Sequence, residues 1–105
     1  MVINPFCKKN SPFYSENVSV GAKILTDEMK DKHYHKDSEE IFIVILGALL
    51  IKLFHKKNIE ELSIMPNEIL IIKPGIVHQI VKFTPQTEII IINAPAVLND
   101  KVIVE

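Results

Sequence analysis

Short runs of branched apolar residues, punctuated by turn formers, recur along this chain and predict one strand after another. Residues 18–24 alternate between apolar and small or polar side chains, in the two-residue period of a half-buried strand. Residues 41–46 are continuously apolar, and residues 48–54 follow directly after Gly47, which reads as a hairpin turn. Further runs at 59–64, 69–72, 76–83 and 88–93 are set off by Pro66-Asn67-Glu68 and Pro74-Gly75. These runs are too short and too rich in isoleucine for amphipathic helices. The pattern predicts an all-β sandwich or barrel.

Two of the runs, residues 41–46 and 89–92, are apolar at both parities, so both faces of those strands need cover. A sandwich core covers one face. The commonest cover for the other is a second copy packed about a two-fold axis, and the chain is read as a homodimer.

A length of 105 residues is the usual size of one domain. Residues 1–105 are read as a single domain, with residues 1–15 as an irregular N-terminal arm in which Tyr14 is ordinary packing. Twelve lysines, no arginine and 13 acidic residues leave a net charge of −1. Without guanidinium forks to clamp phosphates, nucleic-acid binding is not expected. Cys7 is the only cysteine, which removes disulfide and thiolate-metal chemistry and fits a reducing cytoplasm. The longest apolar stretch, residues 41–51, is too short for a span of about 20 residues, so neither membrane insertion nor export is expected.

The chemistry concentrates at His33, His35, Glu40 and His78. Two histidines separated by one residue lie on the same face of a strand and can reach one ion. Glu40 joins them only if residues 36–39 make a turn and Glu40 opens the next strand. His78 has to arrive from a distant strand. Tyr34 then faces away from the ion, and His55, beside Lys56-Lys57, is read as a surface residue.

The pattern H-x-H-x4-E-x6-G, spelled by His33, His35, Glu40 and Gly47, is followed by P-G-x-x-H from Pro74, Gly75 and His78. Together they resemble the two motifs of the cupin superfamily, over about half the chain. The resemblance implies a cupin-type antiparallel β-barrel of jelly-roll form, in which His33, His35, Glu40 and His78 hold a divalent metal ion. Glu40 rather than Glu39 satisfies the spacing to Gly47. Asp27 and Asn67 stand where the leading glycines of the motifs fall, and Asn67 tolerates the left-handed conformation of a turn. Lys73 replaces the first proline of the second motif, and Lys82 its final asparagine.

Three imidazoles and one carboxylate suit iron, manganese, nickel, cobalt, copper or zinc, and leave an octahedral ion two open positions for a bidentate oxygen ligand. Counting parity from Glu40 and His78 puts Phe42, Val44, Ile80 and Lys82 on the pocket face. Such a pocket is mostly apolar and of small-molecule type. A strand twist between His78 and Lys82 would turn the lysine out. No general acid or base is assigned. The leading function is a metal-dependent enzyme acting on a sugar, sugar phosphate or organic acid, by isomerase, lyase or dioxygenase chemistry. The alternative is a non-catalytic module that binds or senses a metal and a small molecule. Without arginine, a phosphate would fall to Lys73 or Lys82.

Overall fold

The computed structural model describes residues 17–105. The strands are β1 (Ser19–Ile24), β2 (His33–His35), β3 (Glu39–Leu46), β4 (Leu49–Phe54), β5 (Ile59–Ile64), β6 (Ile69–Ile72), β7 (Val77–Phe83), β8 (Glu88–Ala94) and β9 (Lys101–Ile103). Among the described residues the helical content is one short 3-10 turn, Asp27–Met29. The all-β reading holds. No helix among the described residues is long and apolar enough to cross a membrane. The strands β2 and β9 are absent from the apolar pattern because each has only three residues.

All pairings are antiparallel and form two sheets, ordered β1-β8-β3-β6 and β5-β4-β7-β2-β9. They make a jelly-roll-like sandwich rather than one closed barrel. β3 and β4 lie in different sheets, so Gly47 is not the hairpin turn that the sequence predicts but a corner where the chain changes sheet. Its φ is +86°, and a Cβ there would lie 2.9 Å from the Thr87 Cα and collide with the Thr84 and Thr87 hydroxyls. Only glycine meets both demands. Asn67 and Gly75 also adopt positive φ, 71° and 82°, in the turns before β6 and β7.

Strand alternation decides which side chains meet the interior. On β3 every second residue, Glu40, Phe42 and Val44, is buried. Ile51 and Ile89, both fully buried, pack with Phe42, Val44, Leu49, Leu53, Ile72 and Ile80 between the sheets. Two irregularities break the alternation. Leu50 pairs with Lys82, but Ile51 pairs with Ile80, so Val81 is an extra residue in β7. That bulge reverses parity and points Lys82 to solvent. A second irregularity, between Val44 and Leu46, likewise leaves Leu46 exposed.

The outer face of the four-stranded sheet is apolar. Val20, Ile92, Ile41 and Ile71 form one cross-strand row, and Ala22, Ile90, Ile43 and Ile69 the next.

Candidate metal centre

Three separate segments deliver the four residues, and each is held by identifiable bonds. His33 and His35 sit on β2, paired to β9 on one side and to β7 on the other, where His33 faces His78 directly. The Pro74-Gly75 turn is tied to β2 by the Gly75 N–H donating to the His35 carbonyl at 2.8 Å. Glu40 enters from the other sheet. The turn between β2 and β3 is held by Asp100, whose carboxylate accepts from the backbone N–H groups of Asp37 and Ser38 at 2.9 and 3.0 Å. That turn supplies the parity change that puts Glu40 on the side of the histidines. Glu39, one residue earlier, points out and pairs with Lys73 at 2.8 Å.

One ligand atom from each of His33, His35, Glu40 and His78 lies within 4.8 Å of the others. Glu40 is central: its Oε1 is 2.8 Å from His78 Nε2 and 3.9 Å from His33 Nε2, and its Oε2 is 2.9 Å from His35 Nε2. The outward ring nitrogens are committed elsewhere. His33 Nδ1 meets the Asp31 carbonyl at 3.0 Å, and His78 Nδ1 the Ile76 carbonyl at 2.9 Å. For His33, donation to the Asp31 carbonyl leaves the Nε2 lone pair facing inward; His78 Nε2 is hydrogen-bonded to Glu40 Oε1 at 2.8 Å, the position that a cation would take over. His35 Nε2 is buried and makes no hydrogen bond, because its 2.9 Å approach to Glu40 is misaligned for one. A buried, unsatisfied imidazole nitrogen pointing among carboxylate and imidazole donors fits a cation ligand.

The electrostatics agree with a neutral His33 ring beside an ionised Glu40 carboxylate. Burial, with help from the neighbouring His78, lowers His33 to about 4. Burial alone would raise Glu40; its contacts with His35 and His78 outweigh this and hold the carboxyl well below the usual carboxylate range. Asn93, from β8, adds a hydrogen bond from Nδ2 to Glu40 Oε2 at 3.3 Å.

No family model matches this sequence, and no curated protein matches it either. Solved structures do. A Streptomyces Pac13 variant with uridine matches with a TM-score of 0.68 and 16% identity, over 87% of this chain and 70% of that one. Pac13 is described as a nucleoside dehydratase with a β-barrel. Oxalate decarboxylase from Bacillus subtilis matches with a TM-score of 0.69 and 16% identity, over 86% of this chain but 24% of the decarboxylase. The chain has the fold of a small cupin.

A cavity of about 590 Å³ opens between the sheets beside the four-residue cluster. Of the residues that the sequence assigns to it, Phe42 and Ile80 line it, and so do His33, His35 and Glu40. Val44 does not, being fully buried in the core, and neither does Lys82, turned outward by the β7 bulge. His78 lies behind the lining, 1% exposed. His55 is apart from the site and pairs with Glu60 at 3.1 Å. Cys7 and Tyr14 lie outside the described residues.

Sequence reasoning missed the rest of the wall. Lys23, Asp31, Asn93, Asp100 and Lys101 all line the cavity. For Lys23 the signal was available, since the odd positions of β1, Ser19, Gly21 and Lys23, all line the cavity, as does Leu25 just beyond the strand. Nothing in the pattern announced Asp100 or Lys101, because β9 is too short to show a period.

Proposed function

We propose that this cupin is a divalent-metal-dependent enzyme acting on a small oxygenated molecule, with His33, His35, Glu40 and His78 as the metal ligands. The observation that carries this reading is the inward-facing set of three Nε2 atoms around one ionised carboxylate at the end of a cavity. The donor set suits iron, manganese, nickel, cobalt, copper or zinc. When bound, such an ion supplies a Lewis acid with open positions for substrate oxygens. The chain's own residues do the rest: Asn93 orients Glu40, the Asp31 and Ile76 carbonyls orient two of the rings, and Phe42 and Ile80 give the reacting end an apolar, water-poor wall. Dehydration and decarboxylation, the activities named for the two structural neighbours, are both lyase reactions, and lyase chemistry is the class we favour here. The test is metal analysis of protein purified without added ions, then a metabolite screen with oxygen-uptake measurement on wild type and His78→Ala. A metal-dependent turnover lost in the variant supports the reading. Thermal stabilisation by a metabolite with no turnover under any metal supports a binding or sensing module instead.

We further propose that the protein is a homodimer in a reducing cytoplasm, the compartment resting on the single cysteine. The dimer packs the outer face of the β1-β8-β3-β6 sheet against its copy. Ile24, Ile45, Ile69 and Ile71 on that face are 51, 48, 61 and 52% exposed. Four strands about 4.8 Å apart and five residues long give a charge-free area of roughly 300 Å². That is the dry centre of an interface of about 800 Å² per partner, with Glu39, Lys73 and Glu88 at its edge. Light scattering at micromolar concentration is expected to give twice the chain mass, and Ile71→Lys a monomer. A monomeric wild type contradicts the dimer.

A further inference from the structure

The wall of the cavity carries more acid than base. Among the described residues it is lined by the four carboxylates of Glu28, Asp31, Glu40 and Asp100 against the two amines of Lys23 and Lys101, an excess of two negative charges. A divalent ion at the four-residue cluster would cancel that excess and leave nothing over for an anionic ligand. Both lysines are also engaged: Lys101 Nζ lies 2.7 Å from Asp31 Oδ2, and Lys23 has a partner of its own. A negative group brought between the sheets would meet these carboxylates in a partly desolvated space, where like charges repel more strongly than in water.

Asp31 is the carboxylate best placed to meet a ligand. It stands on the segment that crosses from β1 in one sheet to β2 in the other, two residues before His33. Its Oδ2 lies against Lys101 Nζ and, at 3.3 Å, His33 Nδ1, and is buried there. The side chain as a whole is 24% exposed and lines the cavity, which leaves Oδ1 as the oxygen that a ligand can reach. Only the ring of His33 separates this carboxylate from the cluster, so a molecule of a few carbons can span the two. An ionised carboxylate accepts hydrogen bonds and donates none, and the donor that an oxygenated molecule offers it is a hydroxyl. Phe42, Ile80, Val97 and Leu98 supply apolar wall for the carbon skeleton.

We infer that the substrate is an uncharged polyhydroxylated molecule, and that Asp31 is the residue that accepts one of its hydroxyls. Lys101, from β9, holds the Asp31 carboxylate in place. The inference rests on the small-molecule reading of the cavity given above and narrows it, setting aside sugar phosphates and organic acids.

The test is calorimetric titration of the metal-loaded protein with ribose, ribonate and ribose 5-phosphate, in wild type, Asp31→Asn and Lys101→Met, with metal content and thermal midpoint recorded for each. Wild type is expected to bind ribose about ten-fold or more tighter than either anion. Asp31→Asn keeps the shape but removes the charge, and is expected to weaken ribose binding and close the gap to within about three-fold at unchanged metal content. Lys101→Met leaves Asp31 without its cation and is expected to widen the gap. A merely structural ion pair would instead weaken all three ligands alike in both variants, and that result overturns the inference. So does an anion that binds as tightly as ribose, binding by none of the three, or a wild-type preference kept in Asp31→Asn. A fall of metal content in Asp31→Asn overturns the role of Asp31, by showing that it acts through His33. His78→Ala separates this inference from the metal reading. A ribose preference that depends on Asp31, in a protein whose His78→Ala form keeps its metal, upholds the inference while removing the four-ligand centre. Metal lost from that variant, with no ribose preference in wild type, does the reverse.

Discussion

His33 and His78 are direct partners across the β2–β7 ladder, with ring centroids 4.4 Å apart. This single register pair joins two motifs far apart in sequence, and the proposed metal site depends on it. His33→Ala and His78→Ala are each expected to weaken divalent-metal affinity more than about 100-fold, since each removes a ligand outright rather than a supporting contact. Competition against a chelating dye measures it. Unchanged affinity in either variant counts against a shared site.

Asp100 is expected to matter for both stability and metal, although it contributes no ligand. Its carboxylate accepts a buried backbone N–H bond from Ser38 and a part-buried one from Asp37, and stands 3.8 Å from His35 Nδ1. Asp100→Ala should cost about 3 kcal/mol of stability, as expected for charge-assisted bonds left unmade. Metal affinity should fall about ten-fold or more through loss of the turn that places Glu40. Denaturant titration of the metal-free protein, alongside metal competition, separates the two effects.

Acid is expected to destabilise the metal-free protein earlier than ordinary carboxylate titration would. His33 takes up a proton near its ordinary 6.5 in the unfolded chain but only near 4 in the folded one. The unfolded state therefore binds more protons as pH falls through that window, and stability is lost from about pH 6.5 down to about 4. The full effect is about 3 kcal/mol. Glu40, held below its usual range, adds a further loss below about 4.5. Unfolding free energies measured from pH 7.5 to 4 should show this slope, and His33→Gln should flatten its upper part.

Gly47→Ala is expected to cost on the order of 3 kcal/mol, combining a positive φ with a collision against Thr87. Thermal or urea unfolding reads it directly. A loss below about 1 kcal/mol would mean that the corner between the sheets relaxes freely.

Much of this molecule is legible in its sequence, for reasons that particular residues make plain. Isoleucine-rich runs bounded by Pro66-Asn67 and Pro74-Gly75 mark β6 and β7 because branched side chains and turn formers act locally. The H-x-H pair is visible because period two is a property of the strand itself. Gly47 was misplaced as a hairpin because its positive φ serves a corner as well as a turn, and the choice depends on which sheet β4 joins. Parity counting carried Phe42 and Ile80 correctly to the cavity but failed at Lys82, since one extra residue, Val81, reverses every side chain beyond it. It also placed Val44 on the right face but at the wrong depth. Asp100 and Lys101 lay beyond reach, because their role comes from a three-residue strand that only tertiary contacts define.

The most direct test is anomalous diffraction at the metal edge from crystals of the metal-loaded protein. One strong peak is expected within bonding distance of the Nε2 atoms of His33, His35 and His78 and a carboxylate oxygen of Glu40. A peak placed elsewhere, or none at full metal loading, would contradict the account.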